Sequence, residues 1–274
     1  MTMDINGTGI TYELWGDPKH PETLVFLNGV MASYSSWGEY AAELSRLPCR
    51  ILLHDFRGQL LSPTDDGPWE FSRHARDLEE LMDRLDIPSA HLIGTSYGGE
   101  AAMDFAASRP ERTKSITVID SASEIDEHLR CSVESWITAV RTARGSEFFS
   151  LVMPFLYSGG FIAEHREMLN SRAHAMESLP ESYYLGQEYL YRTFLTLDLT
   201  DSLKHIQCPA LVICGEEDIL KPPKFSSLIS RSIPQSEYVL LPGCGHAAFI
   251  EKPREIISML FGFLAKQGLH PVAT

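Results

Sequence analysis

The sequence predicts an α/β fold built on a mostly parallel sheet, and three observations carry that prediction. Short, almost wholly apolar runs recur along the chain, as expected of strands buried on both faces. Amphipathic stretches of helical period separate them. A Gly-rich turn, "GTSYGG" at 94–99, joins one such run to one such stretch and carries a lone serine, Ser96.

Taken in order, "GITYELW" (9–15) follows the turn signal "NGTG", so the first residues read as an antiparallel hairpin. "TLVFLN" (23–28), "RILLHD" (50–55), "AHLIG" (90–94), "SITVID" (115–120), "ALVICG" (210–215) and "SEYVLL" (236–241) are the apolar runs. Between them, Trp37, Tyr40, Ala41, Leu44 and Leu47 form one helical stripe. Phe71, Ala75, Leu78, Met82 and Leu85 form another, with Arg73, Asp77, Glu80 and Asp83 predicted to point away. Residues 97–108 and the stretch from Pro253 to Lys266 complete the alternation.

One segment breaks the rhythm. Residues 121–205 show no strand pattern, only helix-like stretches punctuated by Pro154, Gly159, Gly160 and Pro180. The predicted organisation is therefore a core domain, 1–120 and 206–274, with a helical cap inserted at 121–205. The cap is rich in aromatics and methionine, among them Trp136, Phe148, Phe149, Met153, Phe155, Tyr157, Phe161, Tyr183, Tyr184, Tyr189 and Phe194. These side chains either pack the insert onto the core or line an apolar pocket beneath it, and both can hold at once.

Composition narrows the function. At 274 residues, 44% apolar and 22% charged, the chain is that of an ordinary globular protein. A formal net charge of −14 repels nucleic acid and anionic membrane surfaces. Five scattered cysteines with no CxxC argue against a disulfide framework or a zinc site. The start "MTMDINGTGITYEL" has no basic stretch followed by an apolar one, and no apolar run is long enough to span a bilayer. A cytosolic protein is predicted, and a homo-oligomer is compatible with it.

Gly94-Thr95-Ser96-Tyr97-Gly98 fits G-x-S-x-G, with a strand before it and a helix after it. A sharp strand-to-helix turn thrusts the serine outward and leaves room only for small neighbours. The bland alternative is a Gly-rich turn with an incidental serine. A hydroxyl is a poor nucleophile at neutral pH and needs a base, itself oriented by a third group. "GEED" (215–218) and "GCGH" (243–246) each follow a predicted strand, and the carboxyl ends of parallel strands share one sheet edge. Ser96, Asp218 and His246 would meet there; the lesser alternative for Asp218, beside Glu216 and Glu217, is a solvated acidic turn. The other nine histidines read as structural or surface residues: His54 and His91 in buried strands, His74 on a helix, and the remainder exposed or in the insert. The backbone N–H groups of Tyr97 and Val30, the latter in the loop "NGVMASYSSW", are the candidate donors to an oxyanion.

On these residues the whole chain resembles the α/β-hydrolase fold superfamily, in its serine-nucleophile branch. "DFRGQLLS" (55–62) is similar to that family's D-x-R-G-x-G-x-S loop, "GEED" to its acid-bearing turn and "PGCGHAAFIEKP" to its histidine loop. The resemblance implies an eight-stranded sheet flanked by helices, with Ser96 as nucleophile, Asp218 as orienting acid and His246 as base. Within the fold the chain is similar to esterases, enol-lactone hydrolases and cofactor-free perhydrolases. It does not resemble haloalkane dehalogenases, which place aspartate where this chain has Ser96. Two positions depart from the pattern. Asn28-Gly29 stands where His-Gly is usual, as in the acyltransferase-like enzyme of rhamnolipid synthesis, and Leu60 replaces a glycine.

The expected function is hydrolysis of a carboxylic ester, thioester or lactone through an acyl-enzyme on Ser96. The substrate is expected to be a small, partly apolar acyl compound, with no metal and no organic cofactor. An acyltransferase using an alcohol or hydroxy acid as acceptor, and a carbon–carbon bond hydrolase, would use the same three residues. A non-enzymatic ligand receptor on this scaffold is the remaining class, and a degenerate set of the three would mark it.

Overall fold

The computed structural model describes residues 1–63 and 66–271. Eight strands form one sheet: β1 (Thr2–Ile5), β2 (Thr8–Trp15), β3 (Thr23–Leu27), β4 (Arg50–His54), β5 (Ala90–Thr95), β6 (Thr113–Ile119), β7 (Ala210–Gly215) and β8 (Ser236–Leu241). Their order across the sheet is β1-β2-β4-β3-β5-β6-β7-β8. The β1/β2 and β2/β4 pairs are antiparallel and every later pair is parallel. All eight predicted strands are present.

The apolar runs are continuous because both faces are covered. Val25, Leu27, Leu52 and Val212 point into one core with α2 (Phe71–Arg84) and α3 (Tyr97–Ser108). Leu24, Phe26, Ile51, Leu53, Leu211 and Ile213 point into the other, against α1 (Gly38–Leu44) and the C-terminal helix. Alternation at period two assigns each residue its face. At 25 cal/mol per Å2, each of these buried aliphatics contributes about 1.5–3 kcal/mol.

Two expectations need correction. "SEYVLL" is not buried on both faces: β8 is the sheet's edge, and Tyr238 and Leu240 are exposed there because an edge strand has a neighbouring strand on one side only. Asp77 does not point to solvent. It is buried, and its carboxylate accepts from Arg57 Nε (2.5 Å) and Arg57 Nη2 (3.0 Å), so an ion pair replaces the hydration a surface position would have given.

Between β6 and β7 the chain forms α4 (Glu127–Thr142), α5 (Gly145–Leu156), α6 (Gly159–Glu164), α7 (Arg166–Ala175) and α8 (Glu181–Phe194), with no strand among the described residues. Asp126 caps α4 by accepting from Leu129 N–H at 2.8 Å, and Ser158 caps α6 by accepting from Phe161 N–H. Phe148 and Tyr184 meet edge to face inside this bundle, and Trp136 of α4 meets Tyr191 of α8. Then α9 (Pro223–Ser232) follows β7, and α10 (Ala248–Glu251) and α11 (Pro253–Lys266) close the chain. No helix among the described residues is long and apolar enough to cross a membrane.

Candidate active site

Ser96 sits between the last residue of β5 and the first of α3, at φ 51° and ψ −119°. That conformation is costly for any side chain and persists only where neighbours hold it. Here Ser96 N–H donates to Ile119 O at 2.7 Å, and the Ser121 hydroxyl donates to Ser96 O at 2.9 Å. The flanking glycines are steric necessities. A Cβ on Gly94 would lie 2.2 Å from Gly98 O, and one on Gly98 would lie 2.0 Å from Leu27 O. Helix α3 can therefore descend onto β3 and β5 only with glycine at both positions.

The loops after β7 and β8 reach the same sheet edge and bring the predicted residues together. His246 Nε2 is 3.0 Å from Ser96 Oγ, and His246 Nδ1 is 2.8 Å from Asp218 Oδ2. Asp218 is buried rather than a solvated turn. Its other oxygen accepts from the N–H groups of Leu220 (2.9 Å) and Lys221 (2.8 Å). A carboxylate facing Nδ1 keeps the proton on that nitrogen, which leaves Nε2 as acceptor for the Ser96 hydroxyl.

Asp120, at the end of β6, lies behind Asp218. Burial and the neighbouring Asp218 carboxylate push it well above the usual range, and its two oxygens accept from Gly215 N–H and Ala248 N–H. Asp120, Cys214 and Asp218 each place one atom within 4.8 Å of the others. Both carboxylates already accept backbone N–H groups and burial raises the Cys214 thiol pKa, so this chain uses the cluster to anchor loops.

Val30 and Tyr97 both adjoin Ser96. Tyr97 N–H opens α3 and so has no partner within the helix. Among the described residues neither N–H is taken up by a protein acceptor. A hydrogen-bonded scaffold aims the Val30 loop. Gln59 Nε2 donates to Gly29 O at 2.9 Å, and Gln187 Nε2, from α8, donates to Val30 O at 3.0 Å. Asn28 stands behind this loop, fully buried. It accepts from Trp37 Nε1 (2.9 Å), and its amide faces His54 O, Asp55 Oδ1 and Gln59 Oε1. The Asn-Gly departure therefore bears on what braces the loop. Leu60, the other departure, packs its half-buried side chain against the core.

A cavity over Ser96 and His246 is lined by Val30, Met31, Trp136, Leu156, Tyr157, Tyr191, Phe249 and Ile250, and Arg172 is the one lysine or arginine among its described lining residues. Of the aromatics in the insert, Trp136, Tyr157 and Tyr191 line it, whereas Phe148, Phe149, Tyr183 and Tyr184 pack within the bundle. The pocket-lining reading thus applies to the first three, while the other four pack among the helices of the segment itself.

The sequence did not reveal four polar residues around this site: Gln59, Gln187, Glu100 and Lys221. Glu100, one turn after Ser96, was detectable as a lone charge on a helix face of Gly and Ala. Little local marks the other three, because the contacts that bring them to this site reach 29 to 157 residues along the chain.

Comparison with known proteins gives the lineage. Residues 22–253 match the model of the alpha/beta hydrolase fold family. The chain belongs to that family. The hydrolase is 31% identical over 252 residues to a protein of Pseudomonas savastanoi pv. phaseolicola named "Putative carbamate hydrolase RutD", covering 89% of this chain and 94% of that one. It is 28% identical over 232 residues to the protein of the same name from Azorhizobium caulinodans, covering 82% and 86%. Among solved structures, an alpha/beta hydrolase enzyme from a Medee basin deep-sea metagenome library superposes with a TM-score of 0.92 at 26% identity, covering 97% of both chains. The enol-lactonase of Burkholderia xenovorans shares the fold, with a TM-score of 0.87 at 24% identity over 97% of this chain and 100% of that one.

Proposed function

We propose that this hydrolase cleaves a carboxylic ester, thioester or lactone through an acyl-enzyme on Ser96. The observation that carries the reading is the continuous chain from Asp218 through His246 to Ser96 Oγ, with hydrogen bonds of 2.8 and 3.0 Å. Ser96 Oγ attacks the carbonyl carbon as its proton passes to His246 Nε2. The oxyanion is received by the N–H groups of Val30 and Tyr97. Collapse expels the alkoxide or thiolate, which takes the proton from His246 and leaves an acyl ester on Ser96. Water then attacks that ester, giving its proton to His246, and the acid departs as Ser96 Oγ recovers a proton from His246. Asp218 holds the Nδ1–H tautomer and stabilises the imidazolium.

The helices at 121–205 serve as the cap in this reading, since Trp136, Tyr157 and Tyr191 roof the cavity over Ser96. The apolar lining suits a partly apolar acyl group, and Arg172 suits a polar or anionic end. Neither step calls for a metal or an organic cofactor. An acyltransferase would draw on the same apolar lining, but Asn28 gives it no direct contact, since its side chain faces His54 O and Gln59 Oε1 in the loop's bracing. A carbamate carbonyl can undergo the same attack, and the names of the RutD relatives favour including carbamate esters among the substrates tried.

Rapid mixing with p-nitrophenyl butyrate tests the reading. A burst near one equivalent per chain is expected, absent in Ser96→Ala. Equal turnover by both proteins would refute Ser96 as nucleophile.

A further inference from the structure

Lys221 has no part in the mechanism just described, yet its ammonium reaches the reacting atom. Lys221 Nζ is 3.0 Å from Ser96 Oγ and 2.8 Å from Glu100 Oε1, and it lies 4.5 Å from the centroid of the Phe194 ring. The pair is deeply buried, with side-chain exposures of 3% for Lys221 and 0% for Glu100. Both ends are fixed. Glu100 is one turn into α3 and also accepts from Ala122 N–H at 2.8 Å. Lys221 lies in the same turn as Asp218, to which its backbone N–H donates.

Stability does not account for this arrangement. Removing two charges from water costs about as much as their attraction returns, and well-packed apolar residues would serve a core equally well. Glu100 Oε2 is left without a hydrogen-bond partner, and burial raises the Glu100 carboxyl pKa to about 7. The ammonium has only donors to offer, so the Ser96 oxygen must accept from it. Among the described residues, the Ser96 proton then has His246 Nε2 as its acceptor, at 3.0 Å.

We propose that Lys221 is a catalytic residue, donating a hydrogen bond to Ser96 Oγ in both halves of the reaction. This inference rests on the acyl-enzyme reading of Ser96. In acylation the ammonium stabilises the negative charge on Oγ as the proton moves to His246, and the second lone pair of Oγ attacks the carbonyl. In deacylation the bond between Oγ and the carbonyl carbon breaks, its electron pair returns to Oγ, and His246 supplies the proton. Lys221 stabilises that departing oxygen and keeps its own protons throughout. Glu100 acts through Lys221 by holding the ammonium in place.

The test compares wild type, Lys221→Met, Lys221→Met/Glu100→Gln, Lys221→Arg and Ser96→Ala. Each is followed by rapid mixing with p-nitrophenyl butyrate, by the rate of labelling with a fluorophosphonate, and by thermal unfolding. Lys221→Met strands a buried carboxyl and is expected to lose stability. The double variant removes the pair together and is expected to recover it. In the double variant, acylation, deacylation and labelling should all slow roughly 10- to 100-fold, the range of a charge-assisted hydrogen bond, with KM little changed. Lys221→Arg should recover part of the loss. Wild-type rates in a folded double variant would overturn the role of Lys221 and leave the acyl-enzyme intact. A raised KM with both rate constants unchanged would also overturn it, by making Lys221 a substrate contact only. Labelling of wild type at a residue other than Ser96, or undiminished labelling of Ser96→Ala, would overturn the acyl-enzyme reading and this inference with it.

Discussion

Gln187 donates through Nε2 to the carbonyl oxygen of Val30 at 3.0 Å, tying α8 of the insertion to the loop that adjoins Ser96. Gln59 donates to Gly29 O and so fixes the Gly29–Val30 peptide that carries the Val30 N–H, while Gln187 fixes the next peptide, Val30–Met31, from the other side of the residue. A loop expected to receive an oxyanion is thus held partly by the core and partly by the insertion.

Gln187→Leu should therefore lower kcat roughly tenfold while KM changes little, a fraction of the loss caused by deleting an oxyanion donor outright. Stability should hold within about 1 kcal/mol, because the buried Gln187 Oε1 has no partner to lose. Steady-state kinetics with thermal unfolding checks both. An unchanged kcat would show that the loop is rigid without the insertion.

Asp218→Asn keeps the side-chain shape but can present an N–H to His246 Nδ1, which favours the wrong tautomer. The acylation rate should fall roughly 1,000- to 10,000-fold at neutral pH. Burst kinetics measures it. A fall of less than tenfold would mean that Asp120, buried behind Asp218, can take over the orienting role.

Gly98→Ala should cost about 3 kcal/mol or prevent folding, since its Cβ would fall 2.0 Å from the Leu27 carbonyl oxygen, a backbone atom that cannot swing aside. Gly262→Ala is the control. It lies inside α11 with nothing within 4 Å of an added Cβ, and should stabilise by about 0.5–1 kcal/mol. Urea unfolding of the two variants gives the comparison, and equal stability would mean that the strand-to-helix turn can relax.

Two buried histidines make the fold sensitive to acid. Burial lowers His54 to about 4 and His74 to about 3, the latter with its Nε2 2.7 Å from the Tyr97 hydroxyl. The unfolded chain protonates its histidines near pH 6.5 and the native state only near pH 3–4, so stability is complete above about 6.5 and falls as pH drops through that window. His74→Gln should flatten the fall by an amount on the order of a few kcal/mol. Glu100 runs the other way, because its raised pKa of about 7 makes its contribution fade as pH rises from 4.5 toward 7. Urea midpoints at about pH 7.5 and about pH 5 check the slope. An identical drop in wild type and variant would place the acid sensitivity elsewhere.

The sequence by itself determined the strands, the order of their helices and the meeting of Ser96, Asp218 and His246. Apolar periodicity is a local signal, and parallel strands deliver their C-terminal loops to one edge whatever lies between them. That is why three residues spread from 96 to 246 could be joined from the sequence alone. Only the tertiary structure decided which side Asp77 faces, that β8 is an edge with exposed side chains, which aromatics of the insert line the cavity, that the Lys221–Glu100 pair reaches Ser96, and that Gln59 and Gln187 brace the Val30 loop. Those placements depend on which buried polar groups find one another across the packed core, and a buried charge takes its partner from whatever chain lies within about 3 Å, however distant in sequence.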